Sequence, residues 1–266
     1  MRKALAVFVR DMKLDLSYPM TFATQWIAII VGVTGFFYVS KLVHPSRALG
    51  FDGRTSTYFT YVIINVAFMV LQTNAVQSFS GVLRRDQTFD MIEPIFATPT
   101  TVGLLAFSSG LWKLTVSVTH VIVYLAVATM IFGLNLHGTN VGVLLLFVLL
   151  SVVCMSSVGV IGAGMVIYSK QNPPSNFLVG GAASLLAGVV FPIALLPPPL
   201  RVVSWLLPIT HALSGMRAAV HGAQLSQVAG EALWLVVATV ILLPVSLYFF
   251  NWSIDRARTD GTLAQY

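Results

Sequence analysis

Prolines decide what one stretch of this chain can become. Residues 191–217 read FPIALLPPPLRVVSWLLPITHALSGMR, directly after an apolar run long enough to enter a bilayer. Each proline removes a backbone donor and clashes with the preceding turn. Hydrocarbon offers no water to satisfy the carbonyls so freed. Pro197, Pro198, Pro199 and Pro208 therefore rule out one continuous span here. The chain is expected to stop at or just inside one membrane face, dip along it as short helices, and cross again later. Such a re-entrant hairpin shapes or gates a pathway, which points to transport rather than anchoring.

The rest of the chain fits that setting. Of its 266 residues 57% are hydrophobic and 9% charged, where a soluble domain carries about 25% charged residues. The apolar residues come in long runs, the mark of a polytopic helical membrane protein. The short alternating segments of a membrane barrel are absent. The net charge of +6 sits at segment ends rather than in a patch, which suits membrane topology and argues against a nucleic-acid partner. The single cysteine, Cys154, excludes a disulfide within the chain and a cysteine zinc cluster. In an apolar run it reads as a small packed side chain. The first apolar run, near Met20, is too long for a signal-peptide core, so no cleaved leader is expected.

Six spans are expected near 20–42, 57–82, 103–133, 141–167, 176–195 and 229–251. Each is long enough for roughly 30 Å of hydrocarbon at about 1.5 Å per residue. Nine basic residues fall at one set of ends (Arg2, Lys3, Arg10, Lys13, Arg84, Arg85, Lys170, Arg256 and Arg258) and five at the other. The richer set should face the cytoplasm, with both termini. Before the first span, Leu5, Phe8, Val9, Met12 and Leu16 repeat at helical spacing, opposite Lys3, Arg10, Asp11 and Lys13. That pattern predicts an interfacial amphipathic helix. Gly180, Ser184 and Gly188 in the fifth span, and Gly159 with Ala163 in the fourth, read as close-packing stripes. The expected domain is single: interfacial helix 1–19, membrane region 20–251, cytoplasmic tail 252–266.

Catalytic motifs are sparse. No glycine-rich loop ends in Gly-Lys-Ser/Thr, so no nucleotide cradle is expected. All nine acids fall at or beyond span ends, leaving no mid-membrane proton relay. His44, His120, His137, His211 and His221 lack paired metal-ligand spacing. No bound cofactor or metal is expected. Lys113 is the charged residue well inside a span and reads as a snorkelling side chain or a substrate contact. His120, Asn65 and Gln72 are candidates for a polar pathway or a helix seam, as are Asn74 and Gln77. A serine hydrolase drawn from Ser108 or Ser109 with His120 or His211 is the weakest alternative, because no motif specifies an oxyanion hole. A passive channel is the other alternative class.

The loop after the second span crowds Arg84, Arg85, Asp86, Asp90 and Glu93 among Phe89, Met91, Ile92, Ile95 and Phe96. So many apolar residues need a partner or the membrane to cover them. In this loop, Gln87-Thr88-Phe89-Asp90 followed by Thr98-Pro99 resembles the membrane subunits of ABC type-2 exporters, with Gln87 in place of the usual glycine and Pro94 interrupting the loop. Phe191-Pro192, Leu196-Pro197, Leu207-Pro208, Thr210-His211 and Gly215-x-Arg217 resemble the same family's segment before the last span.

The resemblance implies an all-α permease with six transmembrane helices, an interfacial N-terminal helix and a re-entrant extracellular hairpin. It implies a multi-pass protein of a bacterial cytoplasmic membrane. Two such chains, identical or paralogous, would enclose a path, with two ATP-binding cassette subunits docked beneath and holding ATP and Mg. Arg84, Arg85, Asp86, Phe89, Asp90 and Glu93 would form the coupling loop. Pro192, Pro197, Pro208, His211 and Arg217 would belong to the hairpin, residues 194–217, that caps the exit. The expected cargo is an apolar or amphipathic molecule, a drug, antibiotic or lipid. A polysaccharide or glycolipid is the alternative, with an aromatic lining from Phe36, Phe37, Tyr38, Phe59, Tyr61 and Phe68.

Overall fold

The computed structural model describes residues 2–42, 58–88, 102–134, 136, 138–169, 181 and 183–259. Among them the chain is helical: α1 (Arg2–Leu16), α2 (Pro19–Leu42), α3 (Tyr58–Thr88), α4 (Val102–Phe132), α5 (Val141–Ser169), α6 (Pro198–Leu206), α7 (Pro208–Val220) and α8 (Ala229–Thr259). Five of these, α2 to α5 and α8, are long and apolar enough to cross a membrane.

Contacts between helices order them. Tyr61 and Asn65, early in α3, bond to the Gly188–Val189 backbone. Gly81, twenty residues on, lines the same cleft as Asp15 of α1. At about 1.5 Å per residue those points are about 30 Å apart, so α1 and the hairpin sit at opposite ends of the bundle. On α5, Cys154 and Met155 pack with Ala238 and Leu242 of α8, and Gly164 lies by Phe249 and Ser253. Both helices thus run from the hairpin end to the α1 end. Two parallel neighbours need a return passage of the chain between them. The predicted fifth span, 176–195, falls in that return. Residues 176–180 and 182 lie outside the described residues, and the described part ends sooner than predicted, at the turn Ala183–Leu186.

Gly188 corrects the predicted stripe. It lies after that turn with φ +75°, the left-handed region open to glycine at little cost, and is not a packing position on a helix. The other stripe does form a seam inside the chain: a Cβ on Gly159 would lie 2.5 Å from the Val76 carbonyl oxygen. α3 is the central helix. Of its apolar window 61% is buried, against 17% for α2 and α8, whose outer faces remain for lipid or a partner.

The prolines act as initiators here. Pro198 and Pro208 stand in the first turns of α6 and α7, where the missing N–H has no partner to lose and φ is preset. Pro244 lies inside α8 without ending it, and the helix continues to Thr259, past the predicted 251. α1 also departs from expectation. Asp11, assigned to the polar side, is 2% exposed and receives Arg10 at 2.9 Å, while Leu5 and Leu16 stay exposed. The bundle therefore holds the Phe8–Asp11–Asp15 side of α1, and its leucines are left to the membrane interface.

Candidate functional site

Two polar assemblies stand at the two ends of the bundle. At the hairpin end, Tyr61 donates to the Gly188 carbonyl at 2.6 Å and Asn65 donates to the Val189 carbonyl at 3.1 Å. Arg217 of α7 donates to the Tyr61 hydroxyl at 2.8 Å and lies over its ring. Backbone carbonyls around the prolines are satisfied in the same way: Arg201 reaches Ala194 at 2.7 Å, and Ser204 reaches Leu186 at 2.6 Å.

His211 sits between the rings of Trp205 and Trp234. Its Nε2 meets the Trp205 carbonyl at 2.7 Å, and its Nδ1 meets a Glu231 carboxylate oxygen. Both partners are acceptors, so the pair of contacts favours the imidazolium, which donates from both nitrogens. Burial pulls the His211 pKa down, but the Glu231 bond, the Trp205 carbonyl and the Glu231 charge outweigh it and hold the group above its ordinary value. His211 and Arg217 thus serve as structural donors in this chain. Pro192 precedes the 3₁₀ turn Ile193–Leu195, and Pro197 caps α6. The partner of His211, Glu231, was legible only as an acid at a span end.

At the α1 end a half-open cleft of about 750 Å³ lies between α1, α2, α3 and α4. Gln25, Asn74, Gln77, Ser117 and His120 line it, together with the Asp15–Lys113 pair. Lys113 does not snorkel freely: its Nζ lies 2.9 Å from Asp15 Oδ2, which also accepts from Trp112 Nε1 at 2.7 Å. Phe8 meets the Trp112 ring edge-on at 5.3 Å. α1 is thereby fastened to α4 by one carboxylate and one aromatic contact.

The predicted pathway set therefore divides. Lys113 and His120 line the cleft, Asn65 holds the hairpin, and Gln72 is fully buried in the core. Both amide atoms of Gln72 lack a hydrogen-bond partner among the described residues. Much of the predicted aromatic lining is taken up in packing, with Tyr38 left exposed. Phe59 and Phe68 are buried, and Phe37 stacks against Phe132 at 4.5 Å. Tyr61 is engaged in the hairpin anchor.

Of the predicted coupling residues, Arg84, Arg85 and Asp86 belong to the last turns of α3. Phe89, Asp90 and Glu93 lie outside the described residues, as does Thr98-Pro99. No group of three metal-ligating side chains occurs among the described residues. The hydrolase alternative fails on distance. Ser108 and His120 stand twelve residues apart on α4, about 18 Å, and His211 lies at the other end of the bundle.

Long apolar helices, with a polar cleft at one end and a pinned hairpin at the other, define a multi-pass membrane protein. A family model, ABC-2 type transporter, matches residues 3–221. The chain belongs to that family and is the membrane permease component of an ABC transporter, a transport subunit and not itself catalytic. Members of the family generally pair with ATP-binding cassette subunits. No curated protein sequence matches the chain.

Proposed function

We propose that the chain is one permease half of an exporter that moves an apolar or amphipathic molecule, a drug, antibiotic or lipid, out across a bacterial cytoplasmic membrane. The observation that carries this reading is the state of Lys113. It is the charged side chain deepest in a span among the described residues, and Asp15 neutralises it at 2.9 Å. The spans otherwise offer the cargo apolar walls and neutral polar groups. A charged cargo would find no counter-ion there, and burying an unpaired charge is costly.

A second chain, identical or paralogous, completes the path in this reading. Two cassette subunits with ATP and Mg supply the work. Their closure would push on the loop through Glu93 and rock the helices as rigid bodies. The hairpin would cap the exit, with both termini on the cytoplasmic side. Burial of Phe59 and Phe68 and the engagement of Tyr61 in the hairpin anchor take three of the six expected aromatics away from a glycan track, which favours the amphipathic cargo over a polysaccharide.

The test is reconstitution. Vesicles holding the permease with its cassette partner should accumulate or extrude a fluorescent amphipathic dye only with hydrolysable ATP. Flux by the permease alone, without ATP, would instead make it a passive channel. ATP-driven movement of a polysaccharide with no movement of the dye would select the alternative cargo.

A further inference from the structure

We propose that the cleft beside α1 binds the head group of an uncharged, hydrogen-bonding amphiphile, such as a neutral glycoside or a neutral-headed lipid. This names the cargo class within the permease reading and rests on it.

Three observations converge. The volume, about 750 Å³, falls within the range of small-molecule sites. The polar lining comes from separate helices, with Gln25 on α2, Asn74 and Gln77 on α3, and Ser117 and His120 on α4. His120 is held in place by its ring, which lies edge-on to Trp26 at 5.0 Å. Ile29, Val70 and Val116 add apolar wall beside these groups, as a molecule with a tail requires.

Charge selects the class of head group. Among the described residues, Asp15 and Lys113 are the charged side chains in the lining, and they hold each other at 2.9 Å. An anionic head would meet a Lys113 whose charge Asp15 already offsets, and a cationic head would meet an Asp15 already shared by Lys113 and Trp112, so neither gains a full counter-charge. Amide and hydroxyl groups bind a neutral polyol or amide without breaking either contact. The cleft also borders α1, whose Leu5, Leu14 and Leu16 are exposed.

The experiment uses the full chain in phosphatidylcholine nanodiscs and two diazirine-tagged probes with the same alkyl tail. One carries a maltoside head and the other a sulfate head. Labelled peptides are mapped by mass spectrometry. The maltoside probe should label residues lining the cleft, and excess dodecyl maltoside should suppress that labelling. Asn74→Leu with Gln77→Leu should lower it about tenfold, as loss of two hydrogen bonds predicts. Asp15→Asn keeps an oxygen for Trp112 but frees the Lys113 charge. It should raise the sulfate-to-maltoside labelling ratio about fivefold, a change that misfolding does not produce. Equal labelling by both probes in the unaltered chain, or a ratio unmoved by Asp15→Asn, overturns the site. ATP-driven transport that persists while cleft labelling is absent also overturns the site and leaves the permease reading standing. Labelling without any ATP-driven transport overturns the permease reading and upholds the site.

Discussion

Arg217 donates to the hydroxyl of Tyr61 across 2.8 Å, joining residues 156 positions apart. That hydroxyl hands its own proton to the Gly188 carbonyl at 2.6 Å, so one phenol pins both arms of the hairpin to the central helix. Tyr61→Phe keeps the ring and removes both links. Asn65 still reaches the Gly188 carbonyl at 3.3 Å, so loss of the two phenol bonds should cost about 1–2 kcal/mol. Hydrogen exchange should rise across residues 188–217 and stay unchanged in α4 and α5. Unaltered protection in the hairpin would show that the phenol is not the pin.

Gly215 lies beneath the ring of Phe147, which is fully buried, and a Cβ there would fall inside the ring's contact distance. Two effects compete in Gly215→Ala. Helix propensity favours alanine by about 1 kcal/mol. Overpacking a filled core costs about 1–3 kcal/mol. The net should be a lower melting temperature, read by thermal unfolding in detergent. Gly230, with open space at its Cβ, provides the contrast: Gly230→Ala should not lower it.

The His211 pair makes the hairpin sensitive to pH. Its folded pKa is raised above the ordinary 6.5 by Glu231 and the Trp205 carbonyl, against the opposing effect of burial. A raised histidine pKa contributes stability that is full below about pH 6.5 and fades as pH climbs through the folded value. Exchange at the α6–α7 junction, corrected for intrinsic rates, should therefore be slower at pH 6 than at pH 9. Glu231→Gln should flatten that difference. A slope of equal size in the variant would assign it to other groups.

Asp15→Ala should release α1. The ion pair is partly exposed and contributes at most about 1 kcal/mol, and the Trp112 bond adds a similar amount. Limited proteolysis should cut α1 sooner while α3 to α5 remain protected. An unchanged cleavage rate would mean that the Phe8–Trp112 contact holds α1 unaided.

Glu93→Lys reverses one charge in the loop that follows α3. Under the proposed coupling role, transport should fall at least tenfold while membrane insertion and cassette ATPase activity persist. Wild-type transport by this variant would remove the loop from the coupling path.

How much of this was legible beforehand depends on how far each contact reaches along the chain. The breaks at Pro197 to Pro199 and Pro208 are local effects, and the sequence placed them. Their use as helix starters needs Leu207 to hold an extended backbone, which the proline spacing alone does not state. Lys113 was visible as an anomaly, but its partner is 98 residues away on a helix whose facing side the hydropathy pattern assigned otherwise. Asp11 was misjudged for the same reason: an acid on the polar side of an amphipathic helix looks solvated until a neighbouring helix covers it. The apolar spans carry leucine and valine all round, so no periodicity reveals which face meets which. That is why Asn65 and Gln72, seven apart, looked like one seam and proved to serve the hairpin and the core separately.

Helix α3 runs unbroken for 31 residues, roughly 46 Å, with the anchor at Tyr61 and the turn that holds Arg84 about 35 Å apart on it. It is therefore a stiff lever with its fulcrum in the packed middle, where Gly159 lets α5 bear directly on Val76. A tilt of roughly 10° about that fulcrum swings the two ends about 4 Å in opposite directions. A push delivered at Arg84 would thus be felt at Gly188 without any message passing through side chains in between.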